Sequence, residues 1–143
     1  MGEETPKHSV SVAAAVVRDD GRVLAIQRRD NAHWEPPGGV LELDETIEDG
    51  LRREVREETG LEVQVERLTG VYKNMELGVV ALVFRCRHAD GAPAPTREAA
   101  EVAWLDPSEV EARMEPAYAV RMMDALVPAA QAEVRAHDGT EVL

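Results

Sequence analysis

"GVLELDETIEDGLRREVREETGL", Gly39 to Leu61, is the stretch whose reading decides the fold. Within it Thr46 to Thr59 carries a helical pattern whose two ends are marked. Thr46 can cap the N-terminus, with Asp49 three residues on, and Gly60 suits the left-handed residue that follows a helix. On a wheel of ~100° per residue, with Ile47 at zero, Leu51 falls at about 40° and Val55 at about 80°, defining the expected buried stripe. Glu54 falls near −20°, Glu58 near 20° and Glu57 near −80°, so the first two carboxylates lie in line with Ile47 and Leu51. Arg52, Arg56, Glu48 and Asp49 point the other way.

A charge-rich helix is ordinarily a solvated face. Here Glu54 and Glu58 form a like-charge pair four residues apart, which is unfavourable by about a few tenths of a kcal/mol even when exposed. They also occupy the last turns, where the helix dipole disfavours anions. Several unfavourable choices at one place imply that a positive group belongs there. Carboxylate oxygens suit hard divalent cations. Mg²⁺ takes a few of them, keeps several waters and shares phosphate oxygens with a substrate, and Mn²⁺ accepts the same ligands.

The rest of the chain sets limits on that reading. Its 143 residues are about one domain, residues 1–143, large enough to bury a core without a disulfide framework. Sixteen Lys and Arg against 28 Asp and Glu give a formal charge of −12, so a nucleic acid polymer would meet net repulsion. Two Trp, two Tyr and one Phe leave few platforms for base stacking. A small phosphorylated ligand fits the acidic charge if divalent cations screen it. The lone Cys86 sits in the apolar run "VVALVFRCR" and reads as buried and inert. "VSVAAAVV" is too short to span a bilayer and follows no basic segment, so no membrane partner and a cytoplasmic location are expected.

"SVSVAAAVVR" and "RVLAIQRR" flank "DDG" and read as a strand hairpin with glycine in the turn. "DNAHWEPPGGV" breaks regularity before the helix. Strands are expected at "LEVQVERLTGVY", "LGVVALVFRCR" and "EVAWLD", a loop at "ADGAPAPTRE", and helices through "SEVEARM" and "PAYAVRMMDAL", the latter ended or kinked by Pro128. The mixture predicts an α/β (α+β) fold, a mixed sheet with helices on its faces.

Gly39, Glu45, Arg53, Glu54, Val55, Glu57, Glu58, Gly60 and Leu61 meet every specified position of the Nudix box, and the chain thereby resembles the Nudix hydrolase family. The resemblance implies an alpha-beta-alpha sandwich with a mixed sheet and hydrolysis of a nucleoside diphosphate linked to another moiety. It implies that Glu54, Glu57 and Glu58 bind Mg²⁺ or Mn²⁺, joined by the backbone carbonyl of Gly38, and that Arg53 and Glu45 form an ion pair orienting the loop against the helix. Metals would draw charge from the diphosphate and activate a water. The general base differs among similar proteins. Glu54 is one candidate, and Glu98 and Glu101 in "TREAAEVAW" are the others. Homodimers are frequent among similar proteins, so a homodimer is an expectation here.

Two positions depart from the commonest form of the box. Asp44 stands where glycine is frequent, and Gly50 where alanine is. Gly50 weakens a helix by roughly 0.5–1 kcal/mol unless close packing requires it. Arg28 and Arg29, ending a strand before the box, are candidates for contacting substrate, as are Lys73 and Asn74. The alternative for the arginines is a surface ion pair. Trp34 reads as loop packing and His33 as a surface residue, while His8, His88 and His137 show no pattern. Glu76, Leu77 and Gly78 occupy the region where some subfamilies carry a proline or tyrosine marker, so a nucleoside triphosphate is as compatible as ADP-ribose. The competing class is a non-catalytic, nucleotide-binding sensor domain. No box glutamate is lost to favour it.

Overall fold

The computed structural model describes residues 4–143. Strand β1 (Ser9–Val16) alternates its side chains between two cores, as the period of two requires. Val12, Ala14 and Val16 meet Leu51 and Val55 of helix α1 (Ile47–Thr59), whereas Ala13 and Ala15 meet Met122 and Ala125 of helix α3 (Pro116–Leu126). Helix α2 (Pro107–Arg113) lies with α3 and adds Val110 to that core. The sheet strands are therefore sandwiched between helical layers. Leu51 and Val55 have no exposed surface, and their burial contributes roughly 1.5–3 kcal/mol each to docking an otherwise polar helix.

Two sheets share this middle layer. The first is mixed and contains, in spatial order, β4 (Gly38–Val40), β1, β6 (Val79–Asp90), β5 (Glu62–Asn74) and β8 (Glu133–His137). Strand β1 runs parallel to β6 and antiparallel to β4, and β8 runs parallel to β5. The second is antiparallel, with β2 (Val23–Arg28) between β3 (Trp34–Glu35) and β7 (Ala99–Leu105). Among the described residues no helix is long and apolar enough to cross a membrane.

The expected hairpin of β1 and β2 is present only at its turn. Gly21 adopts φ 84°, the Arg18 N–H donates to the Arg22 carbonyl at 2.8 Å, and Val17 bridges Val23. Beyond that bridge the strands join different sheets. One edge of β1 is taken by β6 along its length, and on the other β4 pairs with Ser11–Ala13 and the Pro37 carbonyl accepts the Ala14 N–H. Strand β2 therefore finds the edge beyond the turn occupied, a competition that a local turn signal cannot register.

The helix ends follow the local code. The Thr46 side chain accepts from the Asp49 N–H at 3.1 Å, and Gly60 adopts φ 79° with its N–H returned to the Arg56 carbonyl. Helix α3 ends at Leu126, two residues before Pro128. Ile47, expected at the head of the buried stripe, is instead 41% exposed. Leu41, packed from the preceding loop against the same core, covers the start of the helix, and the stripe runs through Gly50, Leu51, Val55 and Glu58. Strand β8 carries no alternation strong enough to predict it, because it lies at the sheet edge with Val134 81% exposed.

Candidate active site

The loop from β3 to α1 is pressed against the last turns of that helix. The Gly38 N–H donates to Glu58 Oε1 at 2.6 Å. Gly39 lies so near Glu54 that a Cβ there would stand 2.6 Å from both carboxylate oxygens. Only a residue without a side chain permits this approach. Glu58 is 3% exposed, and burial, with the charges of Glu54, Glu35 and Glu98, pushes its carboxyl up to about 8 against the opposing Gly38 hydrogen bond. Burial also raises Glu54, with Arg53 pulling the other way and the charges of Glu57 and Glu98 adding to the rise.

Arg53 organises the opposite side. Its Nε and Nη2 reach the two oxygens of Glu45 at 2.9 and 2.6 Å, and its Nη1 reaches Glu54 at 3.0 Å and Glu57 at 3.3 Å. Nη2 also donates to the Val40 carbonyl. The fork holds the Glu45 carboxyl down at about 2, and Glu45 in turn accepts from the Glu42 N–H. The loop is thus tied to the helix by the pair expected from the sequence. Gly50 faces the same pair, since a Cβ there would lie 2.5 Å from Leu41 Cδ1 and 2.8 Å from Glu45 Oε1.

The segment before β7 closes the site from the other side. Thr96 Oγ1 donates to the Glu58 carbonyl and the Ala94 N–H to the Thr59 carbonyl, satisfying two of the open carbonyls at the helix end. Arg29 grips the same segment, its N–H on the Glu98 carbonyl and its Nε on the Thr96 carbonyl, both at 3.0 Å. Arg28 is held by Asp30 at 2.7 Å and Glu35 at 3.2 Å. A cavity of about 340 Å³ opens between Arg28, Arg29, Asp30, Glu58, Arg97 and Glu98. Glu101 does not line it. That residue sits within β7, exposed and opposite Gln27.

Among the described residues no three His, Cys, Asp or Glu side chains are drawn into a closed metal cage. Glu57 is turned to Arg53, with its side chain 56% exposed. The groups able to serve a hard cation are the carboxylates of Glu54, Glu57 and Glu58 and the carbonyl of Gly38. This donor set is all oxygen, and Glu58, buried with no cationic side chain paired to it among the described residues, is raised further by the charge of Glu54.

A second cavity of about 230 Å³ begins at Gly38 and Gly39 and runs inward past Glu35 to Asn74, Arg121 and His137. Asn74 was a candidate from the sequence. Lys73 is not among the residues lining this cavity. Glu35, Arg121 and His137 were not singled out. For Arg121 a signal existed, because at ~100° per residue it falls between Ala117 and Ala125 on the buried stripe of α3. Trp34 packs against the core beneath Arg113, as loop packing requires, and the His88 ring meets the Gly91 carbonyl and lies tilted beside the Trp104 ring.

The NUDIX domain profile matches residues 7–126. A MutT-like protein of Streptomyces ambofaciens is 57% identical over 138 residues, covering 96% of this chain and 89% of its own. An ADP-ribose pyrophosphatase of Methanocaldococcus jannaschii is 33% identical over 84 residues, 54% of this chain and 50% of that protein. The crystal structure of an ADP-ribose pyrophosphatase from Streptococcus suis superposes with a TM-score of 0.77 at 22% identity, covering 92% of this chain and 100% of that one, a likeness of fold. The profile takes in both sheets' central strands, the glycine loop and all of α1, and the chain belongs to the Nudix family of pyrophosphohydrolases.

Proposed function

We propose that the chain hydrolyses a pyrophosphate linkage in a nucleoside diphosphate derivative, of the class that includes nucleoside triphosphates and ADP-ribose, with Mg²⁺ or Mn²⁺ held by Glu54, Glu57, Glu58 and the Gly38 carbonyl. The observation that supports this most is the packing of the half-buried Glu54 and the buried Glu58 carboxylates against a glycine pair that admits no side chain. Such crowding is unfavourable without a cation and favourable with one. When bound, the metal supplies Lewis acidity to the diphosphate and a water made reactive at neutral pH.

The chain's own residues perform the rest. Arg53 and Glu45 fix the glycine loop against the helix and so set where the carboxylates stand. Arg28, between the two cavities, faces phosphate oxygens, and Arg29 positions the segment bearing Glu98. Glu98 acts as general base and takes the proton of the attacking water. Glu54 is engaged by Arg53, whereas Glu98 has no ion-pair partner among the described residues and lines the cavity beside Glu58. Glu101, exposed within β7, has no part in this assignment.

The test incubates purified protein with nucleoside triphosphates, nucleotide sugars, ADP-ribose and dinucleoside polyphosphates, with Mg²⁺ or Mn²⁺, and follows products by phosphorus NMR. Metal-dependent cleavage of one class, lost in Glu58→Gln, is expected. Equal background in both proteins, with nucleotide still bound, would establish a sensor instead.

A further inference from the structure

Arg121 projects from α3 into the middle of the protein with 7% of its surface exposed. Its Nε is buried without a hydrogen-bond partner, and no carboxylate pairs with it among the described residues. The guanidinium carbon lies 4.7 Å from the Tyr118 ring centre and 5.3 Å from that of Tyr72. These rings offset part of the desolvation but accept no hydrogen bond in its plane. An unpaired buried cation is strongly unfavourable, and proteins keep one where a ligand completes it.

Glu35 acts on this charge without a hydrogen bond to it, and the one side-chain atom within hydrogen-bond distance among the described residues does not complete it. Nη2 of Arg121 lies 3.4 Å from His137 Nε2. The Gly139 N–H donates to His137 Nδ1 at 3.0 Å, so Nδ1 carries the lone pair and the neutral ring carries its proton on Nε2. Burial and the Arg121 charge keep that ring neutral. Two donors therefore face each other. Asn74 adds a third, because its Oδ1 accepts from the Glu76 and Leu77 N–H groups, which assigns the amide and leaves its NH₂ unpaired among the described residues. All three residues line the cavity that starts at Gly38 and Gly39, and its one carboxylate, Glu35, is engaged by Arg28.

We infer that Arg121, His137 and Asn74 form a specificity subsite that selects substrates presenting a group of hydrogen-bond acceptors without a donor. Two sources share that chemistry: a nucleobase edge with a carbonyl beside an unprotonated ring nitrogen, and a phosphate. Identifying the occupant as part of the substrate rests on the hydrolase reading above. The binding of uncleavable probes does not.

The probes are methylene-bridged inosine and adenosine diphosphates, which differ in an oxo against an amino group at purine position 6, and methylenebisphosphonate. Their affinities are measured by calorimetry in Mg²⁺. The wild type binds the inosine compound ~10-fold or more tightly than the adenosine compound, and Arg121→Met, which keeps the volume and removes the unpaired charge, abolishes the preference without lowering Tm. An equal loss for all three probes in Arg121→Met places a phosphate there instead and retains the acceptor chemistry. Affinities unchanged by Arg121→Met, or a wild-type preference for the adenosine compound, overturn the inference. Should Arg121→Met fail to fold, Asn74→Asp, which replaces a donor by an acceptor, must reduce inosine-compound affinity ~10-fold. An unchanged affinity there overturns it equally. A protein that shows the preference yet cleaves nothing refutes the hydrolase and leaves the subsite standing.

Discussion

The Gly38 N–H meets Glu58 Oε1 at 2.6 Å, joining the loop before α1 to the last turn of that helix. The contact opposes, and does not overcome, the burial that lifts the Glu58 carboxyl from about 4.5 to about 8. Between those values the unfolded chain has lost this proton and the folded chain has kept it, so stability falls as pH rises through the window. The metal-free protein is expected to melt at a lower temperature at pH 8 than at pH 5, and Glu58→Gln to flatten the slope. Asp20 and Glu45, held at about 2, act only below this window. Differential scanning fluorimetry in EDTA measures it. A metal-free Tm that rises from pH 5 to pH 8 would contradict the burial of Glu58. Mg²⁺ at ~100 times its dissociation constant should restore about 2.7 kcal/mol.

Glu98→Gln should lower kcat by roughly 10²–10⁴-fold, the span of general base catalysis, with KM nearly constant. Glu101→Gln should leave kcat within about twofold, the ordinary scatter of surface changes. Steady-state kinetics on the cleaved substrate separates them, and the reverse order would move the base to β7.

Arg53→Lys keeps the charge and loses the fork that spans both oxygens of Glu45. Turnover should fall roughly 10–100-fold, with Mn²⁺ still bound, whereas Glu57→Gln should weaken Mn²⁺ binding itself. Paramagnetic titration with Mn²⁺ reads the difference. Equal metal affinity in Glu57→Gln and the wild type would remove Glu57 from the ligand set.

Gly50→Ala sets two effects against each other. Alanine favours the helix by about 1 kcal/mol, while overpacking opposes it by about 1–3 kcal/mol. The new Cβ would meet Leu41 Cδ1 at 2.5 Å and Glu45 Oε1 at 2.8 Å, and Glu45 is locked by Arg53 and cannot give way freely. The variant should melt lower and turn over more slowly. A raised Tm at full activity would show that the loop yields.

Cys86 has no exposed surface, and burial pushes its thiol up to about 12. It should not react with Ellman's reagent at pH 8 in the native protein and should react fully in denaturant. Rapid native modification would place Cys86 outside the core.

Legibility in the sequence followed the range of the interaction. The ends of α1 were readable because Thr46 and Gly60 act within a few residues of themselves. So was the burial of Glu58, since its wheel position depends only on helical geometry. The parting of β1 from β2 was not, because it depends on β4 and the Pro37 carbonyl, which follow the hairpin in the chain, taking the edge that the hairpin would have used. Glu98 and Glu101 are three residues apart and chemically alike, and it is the anchoring of the Thr96–Glu98 segment on the Glu58 carbonyl and by Arg29, against the pairing of Glu101 within β7, that distinguishes their surroundings.

The order and spacing of residues 39–61 by themselves determined the family, the capped helix and the crowding of carboxylates along one stripe, all consequences of contacts between near neighbours in the chain. Tertiary structure alone decided that Arg121, His137 and Asn74 face one cavity with no acceptor of their own, because α3, β8 and β5 meet there only once the sheet has closed. A buried group is left unpaired by what surrounds it, and the surroundings come from segments that local sequence does not relate.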